Sequence, residues 1–229
     1  MFQPADLFDL TQTEHAAVFD GCPFAWDALK KIHDYIVATL RQRGGGTRYQ
    51  GPASVGESVF IGEGTVIEAG AMIKGPAIIG RHCQIRHNAY IREDVIVGDH
   101  CVVGNSCELK NSLLFNNCQV PHFNYVGDSI LGYKAHLGAG VKISNFKIVP
   151  GNVEVEMDGI PHDTGLRKFG ALIGDQTDIG CNAVLNPGSI IGRGACIYPN
   201  VTWRSILPAN VIAKNKCEVE VVVRRPRHT

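Results

Sequence analysis

The chain has 229 residues, 45% of them hydrophobic and 19% charged, with 22 basic and 22 acidic side chains and no net charge. This composition describes a folded protein with no electrostatic case for binding nucleic acid or an anionic membrane surface. The first residues, MFQPADLFDLTQTE, lack the basic-then-apolar order of a secretory signal, and no apolar run approaches the ~20 residues of a membrane span. The eight cysteines form no CxxC pair and no finger-like spacing, which fits a reduced, cytoplasmic setting.

Residues 1–46 form an N-terminal helical segment. Trp26, Leu29, Ile32, Ile36 and Leu40 recur at three- and four-residue steps, which predicts a helix over 25–43 that stops at Gly44-Gly45-Gly46. Its expected role is to pack on the first coil of the downstream repeats and cover their open end, because repeat arrays need caps. The stretch GGGTRYQGP has the glycine richness of a phosphate loop, but it comes after a helix instead of a strand and reads as a linker.

From Val55 the period is six. Val55, Ile61, Ile67, Ile73, Ile79, Ile85, Ile91, Val97, Val103 and Leu109 share one spacing. Two positions before each stands a mostly small residue, such as Ala53, Thr65, Ala71, Ala77, Cys83, Ala89, Cys101 and Cys107. The register slips by one residue to Leu114 and again to Leu131, then resumes at Ile173 and continues to Ile197. A six-residue period predicts an all-β solenoid, a parallel β-helix of hexapeptide repeats over residues 47–206. Each hexad supplies a short strand and a turn. The aliphatic points inward, and glycine is expected to ease the bend. Cys83, Cys101, Cys107 and Cys118 fall at the small inward position and read as compact filler.

Residues 146–168 break the period. Val153, Val155 and Met157 alternate, and Asp158-Gly159 is a hairpin signal, so a β-rich loop is expected to leave the prism. Residues 207–229 form a C-terminal tail, whose CEVEVVVRRP run is strand-like and suited to covering the far end.

The stretches AYIRED, CELKN, PHFNYVGDS, LGAG and KISNF resemble, in order and spacing, the acetyltransferase domain of the glucosamine-1-phosphate acetyltransferase/N-acetylglucosamine-1-phosphate uridyltransferase family. DTGLRKFGALIGD is more similar to the corresponding domain of archaeal-type sugar-1-phosphate nucleotidyltransferases. The resemblance covers residues 55–206 and implies a left-handed β-helix, a homotrimer, acetyl-CoA as cosubstrate, no metal, and N-acetylation of an amino sugar 1-phosphate on the way to UDP-N-acetylglucosamine. By position it implies His122 as the base and Arg92 and Lys110 as residues that hold the sugar phosphate. Tyr125 would stand at the sugar, Asn145 near sugar and thioester, Ala139 at acetyl-CoA, and Lys168 at a subunit junction. Two positions depart from the pattern. His136 replaces an asparagine that touches the amino sugar, and Cys181 replaces a serine along the coenzyme A groove. The family's uridyltransferase half has no counterpart in this sequence, so nucleotide-sugar synthesis is not expected of it.

Acetyl transfer to an amine needs a base for the amine proton and a donor for the developing oxyanion. Histidine suits the first task, although His122 read from the residues alone is equally a satisfied structural side chain. Arg92 and Lys110 each come directly after an inward aliphatic, three hexads apart, and a triangular coil takes three hexads. The two should therefore emerge one above the other as a phosphate clamp or as an ordinary solvated pair. Two other classes share the fold. A γ-class carbonic anhydrase binds zinc through three histidines, but His82, His87, His100, His122 and His136 lack that family's spacing. A non-catalytic regulatory or scaffold β-helix is the other.

Overall fold

The computed structural model describes residues 2–157, 159–216 and 221–223. Among the described residues, twenty-two short parallel strands wind into a three-faced prism of eight rungs per face. Face 1 carries the pairs ending at Val55, Ile73, Ile91, Leu109, Val126, Ile143, Leu185 and Trp203. Face 2 carries the rungs ending at Ile61, Ile79, Val97, Leu114, Leu131, Ile173, Ile191 and Leu207. Face 3 runs from Val66–Ile67 to Ile212–Ala213. Two strands, Glu108–Leu114 and Tyr125–Leu131, bend across the corner from face 1 to face 2 and join those faces into one fourteen-stranded sheet. This is the parallel hexapeptide β-helix expected from the period, and the architecture matches the left-handed form.

The register slips have a simple geometric meaning. Ile73 pairs with Ile91, a full three hexads on. Leu109 pairs with Val126, and Val126 with Ile143, in each case one position short of three hexads. Two coils thus lose one corner residue each. The next step along face 1, from Ile143 to Leu185, is much longer, because the inserted loop occupies that corner.

The predicted inward columns are buried, including Cys83, Cys101, Cys107 and Cys118. Each of these thiols donates to a carbonyl of the next coil, for example Cys118 Sγ to Gly132 O at 2.9 Å. Burial pushes the Cys101 and Cys107 thiols above their usual range, which fits inert filler. The glycines after the inward aliphatics have a different role from the expected one. A Cβ on Gly62 would lie 2.5 Å from Gly80 C, and one on Gly138 would lie 2.6 Å from Cys181 N. Close stacking of successive coils excludes a side chain there. The left-handed corner positions are held most often by Asn, Asp and His, such as Asn88, Asp94, His100, Asn117 and Asn182, and by glycine at others, such as Gly64, Gly70, Gly140 and Gly194.

The N-terminal segment holds a 3-10 helix at Ala25–Lys30 and an α-helix at Ile32–Gln42, separated at Lys31. Trp26, Leu29, Ile32, Ile36 and Leu40 are all buried. The segment does reach the first coil, where the Arg43 guanidinium lies 4.3 Å over the Phe60 ring and Thr47 N–H bonds to Val59 O at 2.7 Å. It also extends much farther than a cap, along face 2. Arg193 donates to Ala5 O, Asp175 N–H to Leu7 O, and Phe8 stacks on Phe115 at 5.1 Å. Consequently Ile78, Ile96, Leu113, Ile130, Leu172 and Ile190, which point outward on face 2, are buried. Their signature is three consecutive apolar or small residues in every third hexad, as in Ala77–Ile79 and Val95–Val97.

The insertion forms the expected hairpin, Glu154–Met157 antiparallel to Ile160–Asp163, while Asp158 of the expected turn lies outside the described residues. Its base packs back onto the N-terminal segment, with His162 edge-on to Phe24 at 4.8 Å and Lys30 Nζ donating to Thr164 O at 2.9 Å. The tail expected at 207–229 starts too early, since Leu207 and Ile212–Ala213 still pair as rungs of the prism. Its CEVEVVVRRP run lies mostly outside the described residues, at 217–220 and 224–226. Val221–Val223 are exposed and carry no strand. Among the described residues no helix is long and apolar enough to cross a membrane.

Candidate functional site

Two corners of the prism carry most of the sequence-predicted site residues, and the coil register explains why. At the corner after face 1, Ile91 pairs with Leu109 and Leu109 with Val126. Arg92 and Lys110 therefore occupy the same place on successive coils, as the hexad arithmetic predicts. At the next position along the chain, Asn111, Asp128 and Asn145 stack as a second column on successive coils.

Asp128 is the hub of this corner. It is buried, and it sits in the left-handed region at φ 48°. Asn111 Nδ2 donates to Asp128 Oδ1 at 2.9 Å, Asn145 Nδ2 donates to Oδ2, and the Lys110 ammonium lies 3.6 Å from Oδ1. Asn145 Nδ2 also reaches the Tyr125 hydroxyl at 3.3 Å. Gly127 makes room for this contact, since a Cβ there would stand 2.6 Å from Asn145 Nδ2 and 2.7 Å from Tyr125 Oη. Burial, with the Glu108 and Asp128 carboxylates nearby, raises the Tyr125 pKa, so the phenol keeps its proton. Arg92 Nη1 donates to Glu108 Oε1 at 2.9 Å, and its Nη2 to Glu93 Oε1 at 3.3 Å. Thus Arg92, Lys110, Tyr125 and Asn145 are brought together, along with Glu108, Asn111 and Asp128, which the sequence reading did not single out. The signal for Asp128 was present as the Gly-Asp turn of PHFNYVGDS.

At the corner before face 1, a third column runs His122, Ala139, Cys181. Gly140 N–H bonds to His122 O and Asn182 N–H to Ala139 O, which fixes this stacking. Val120, Val126, Cys118 and Asn124 fill the interior beside His122, and the imidazole is exposed. Its backbone is locked by its own N–H to Asn124 Oδ1 at 3.0 Å, while Asn124 Nδ2 donates to Gly138 O at 2.7 Å. The N–H groups of Ala139 and Cys181 have no acceptor among the described residues. Beside them lies a groove of about 280 Å³, lined by Gly138, Ile179, Cys181, Ile197 and Pro199 and by His136. An apolar trough with free amide donors fits a chain of methylenes and amides, as in the pantetheine arm of acetyl-CoA.

Between the two corners, face 1 presents an open groove of about 540 Å³. It runs from Ser106 and Phe123, next to His122, across Glu108 and Tyr125 to Ser144 and Asn145. His136 lies elsewhere, on face 3, with its Nδ1 3.4 Å from Asp178 Oδ1. Lys168 bridges Phe146 where the loop returns, is exposed, and has no ion-pair partner among the described residues. Its neighbour Phe169 donates N–H to Asn145 O at 2.9 Å. His82 and His100 stack at 5.1 Å. Among the described residues no three His, Cys, Asp or Glu side chains group as a metal site.

Residues 73–160 match the family model of the GMPPB C-terminal domain. The match contains all three corner columns except Cys181. Over 88 residues, 38% of this chain and 22% of the relative, the sequence is 38% identical to a bifunctional sugar-1-phosphate nucleotidylyltransferase/acetyltransferase of Sulfurisphaera tokodaii. Over 114 residues, 50% of the chain and 28% of the relative, it is 32% identical to the bifunctional protein GlmU of Methanococcus maripaludis. The chain thus spans about a quarter of the length of these curated relatives. The resemblance read from the motifs, including its archaeal leaning, agrees with these similarities. A solved putative acetyltransferase of Bacillus cereus aligns over 71% of this chain and 73% of its own, at 19% identity and a TM-score of 0.35.

Proposed function

We propose that the chain is an acyltransferase that moves the acetyl group of acetyl-CoA to the amine of an amino sugar 1-phosphate, glucosamine-1-phosphate foremost, and that it works as a homotrimer. The observation that supports this reading is that a cation-bearing corner and a corner with an exposed histidine flank the same face of the prism, with Glu108, Tyr125 and Asn145 lining the groove between them. Arg92 and Lys110 would receive the phosphate, the first as a planar fork and the second as a point charge. Tyr125 and Asn145 would meet the sugar. Acetyl-CoA would lie along the Ala139–Cys181 column, its amide carbonyls accepting from the free N–H groups, with the thioester brought to His122.

The neutral amine attacks the thioester carbonyl carbon, and the C–N bond forms. His122 Nε2 or Nδ1 takes one amine proton, a role worth ~10²–10⁴ in rate. The tetrahedral intermediate collapses, the C–S bond breaks, and the coenzyme thiolate leaves and takes up a proton. The product is the N-acetyl sugar phosphate.

A second reading is a regulatory β-helix without catalysis. It is favoured by the in-chain carboxylate partners of Arg92 and Lys110, which already offset both charges. One experiment separates the two readings. Acetyl-CoA is incubated with glucosamine-1-phosphate, galactosamine-1-phosphate and their UDP-linked forms, and free thiol is measured. Release with a sugar 1-phosphate supports the enzyme, and no release with any acceptor supports the scaffold.

A further inference from the structure

We propose that Asp128 is a positioning residue that sets the hydrogen-bond polarity of the acceptor groove, turning the Asn145 carbonyl toward the ligand so that the groove selects a group that donates a proton. The inference rests on the acceptor site placed above, and it concerns which group at the sugar is recognised there.

A carboxylate only accepts hydrogen bonds, whereas an asparagine amide has one accepting end and one donating end. Both Asn111 and Asn145 turn their NH2 ends to Asp128. Turning either amide would set its carbonyl oxygen against a carboxylate oxygen, so the charge at 128 favours this orientation of both amides. The Asn145 NH2 group also meets Tyr125 Oη at 3.3 Å. Its Oδ1 is then the end left over. That oxygen has no hydrogen-bond partner among the described residues, and it is not sealed off, because the sealed and unpartnered side-chain atom among them is Arg193 Nε. Asn145 lines the face 1 groove, so its free acceptor faces a ligand there. Tyr125 accepts from Asn145 and keeps its own O–H proton to donate. The groove floor therefore offers one fixed acceptor beside one donor. An amine or hydroxyl next to another oxygen satisfies both, whereas a substituent that only accepts leaves Asn145 Oδ1 unmatched.

With asparagine at 128 there would be one carbonyl for two neighbouring NH2 groups. One amide must reverse, and the fixed polarity is lost. The side chains are nearly the same size, so the change acts on hydrogen-bond direction and on the partner of Lys110 more than on packing.

The test is a binding ratio. Wild type and Asp128→Asn are titrated calorimetrically with glucosamine-1-phosphate, glucose-1-phosphate and 2-deoxy-2-fluoroglucose-1-phosphate. Wild type should bind the amino and hydroxyl ligands about 10-fold more tightly than the fluoro ligand, the size of one net hydrogen bond. In Asp128→Asn the gap should narrow to about threefold or less, with KM for acetyl-CoA changed less than about twofold. A folded Asp128→Asn that keeps the wild-type ratio overturns the inference, as does a wild type that does not discriminate. If Asp128→Asn fails to fold, the exchange Asp128→Asn with Asn145→Asp restores donor to acceptor across the pair and still turns an acceptor to the groove, although Tyr125 then donates to position 145, so the ratio to be read is that of the amino ligand to the fluoro ligand. Recovery of the fold and the ratio supports the proposal, and recovery of the fold alone overturns it. Failure of acetyl transfer by wild type sinks the acyltransferase reading but leaves the binding ratio measurable. Transfer with an unmoved ratio sinks only the role of Asp128.

Discussion

The Arg92 guanidinium donates to the Glu108 carboxylate at 2.9 Å, reaching one coil up the prism to the strand that also carries Lys110. This bond, with the one from Nη2 to Glu93, holds the fork at the corner one coil from Lys110, and Arg92 stays about one-third exposed. Arg92→Ala and Lys110→Ala should each raise KM for the sugar phosphate by about 10- to 100-fold, the value of one charged hydrogen bond. KM for acetyl-CoA should stay within about threefold. Steady-state kinetics with each substrate varied in turn checks this, and equal weakening of both substrates would indicate a damaged fold.

His122 is exposed at a corner whose interior is filled by Val120, Cys118 and Asn124. Removing its ring opens no cavity. His122→Ala should lower kcat by ~10²-fold or more and leave the melting temperature within a degree or two of wild type. Thiol release and a thermal melt on the same preparation decide it. A variant with wild-type kcat takes His122 out of the chemistry.

His136 and the Arg92 corner lie on different faces of one chain, so a shared sugar would have to bridge two chains of an oligomer. His136→Asn should shift the ratio of kcat/KM values for glucosamine- and galactosamine-1-phosphate by about threefold or more, the effect of one weakened hydrogen bond. An unchanged ratio leaves His136 with its contact to Asp178 and its place in the lining of the groove beside Cys181.

His15 is buried in the N-terminal segment, with Nδ1 3.1 Å from the Tyr35 hydroxyl. Burial, reinforced by the Arg43 charge, pushes its imidazole down to about 4. In the unfolded chain it takes a proton near 6.5. The unfolded state therefore binds more protons between those values, and stability present above pH 6.5 falls as pH drops toward 4, by up to ~3 kcal/mol. His15→Gln, which keeps a partner for Tyr35, should flatten this loss. Urea midpoints at pH 7 and pH 4.5 for both proteins test it, and equal acid sensitivity would remove His15 as a cause.

The period of six determined the prism, the inward columns and the cysteine filler, because each hexad encodes one strand and one corner directly. The same arithmetic placed Arg92 over Lys110 and left His122 outside the core, since both conclusions need only neighbours at fixed steps along the chain. The register slips also stacked His122, Ala139 and Cys181 on one corner, but that column could be read only after the insertion was shown to leave the corner unchanged. Tertiary structure alone decided two other matters. Face 2 is covered by a segment far from most of it in sequence, and local periodicity cannot say which segment will bury a row of outward aliphatics. The Asp128 hub depends on side chains of neighbouring coils meeting at a corner, where a single register slip changes which groups face one another. Hydrogen-bond direction at that corner is a property of the assembled cluster, and no single stretch of the sequence contains it.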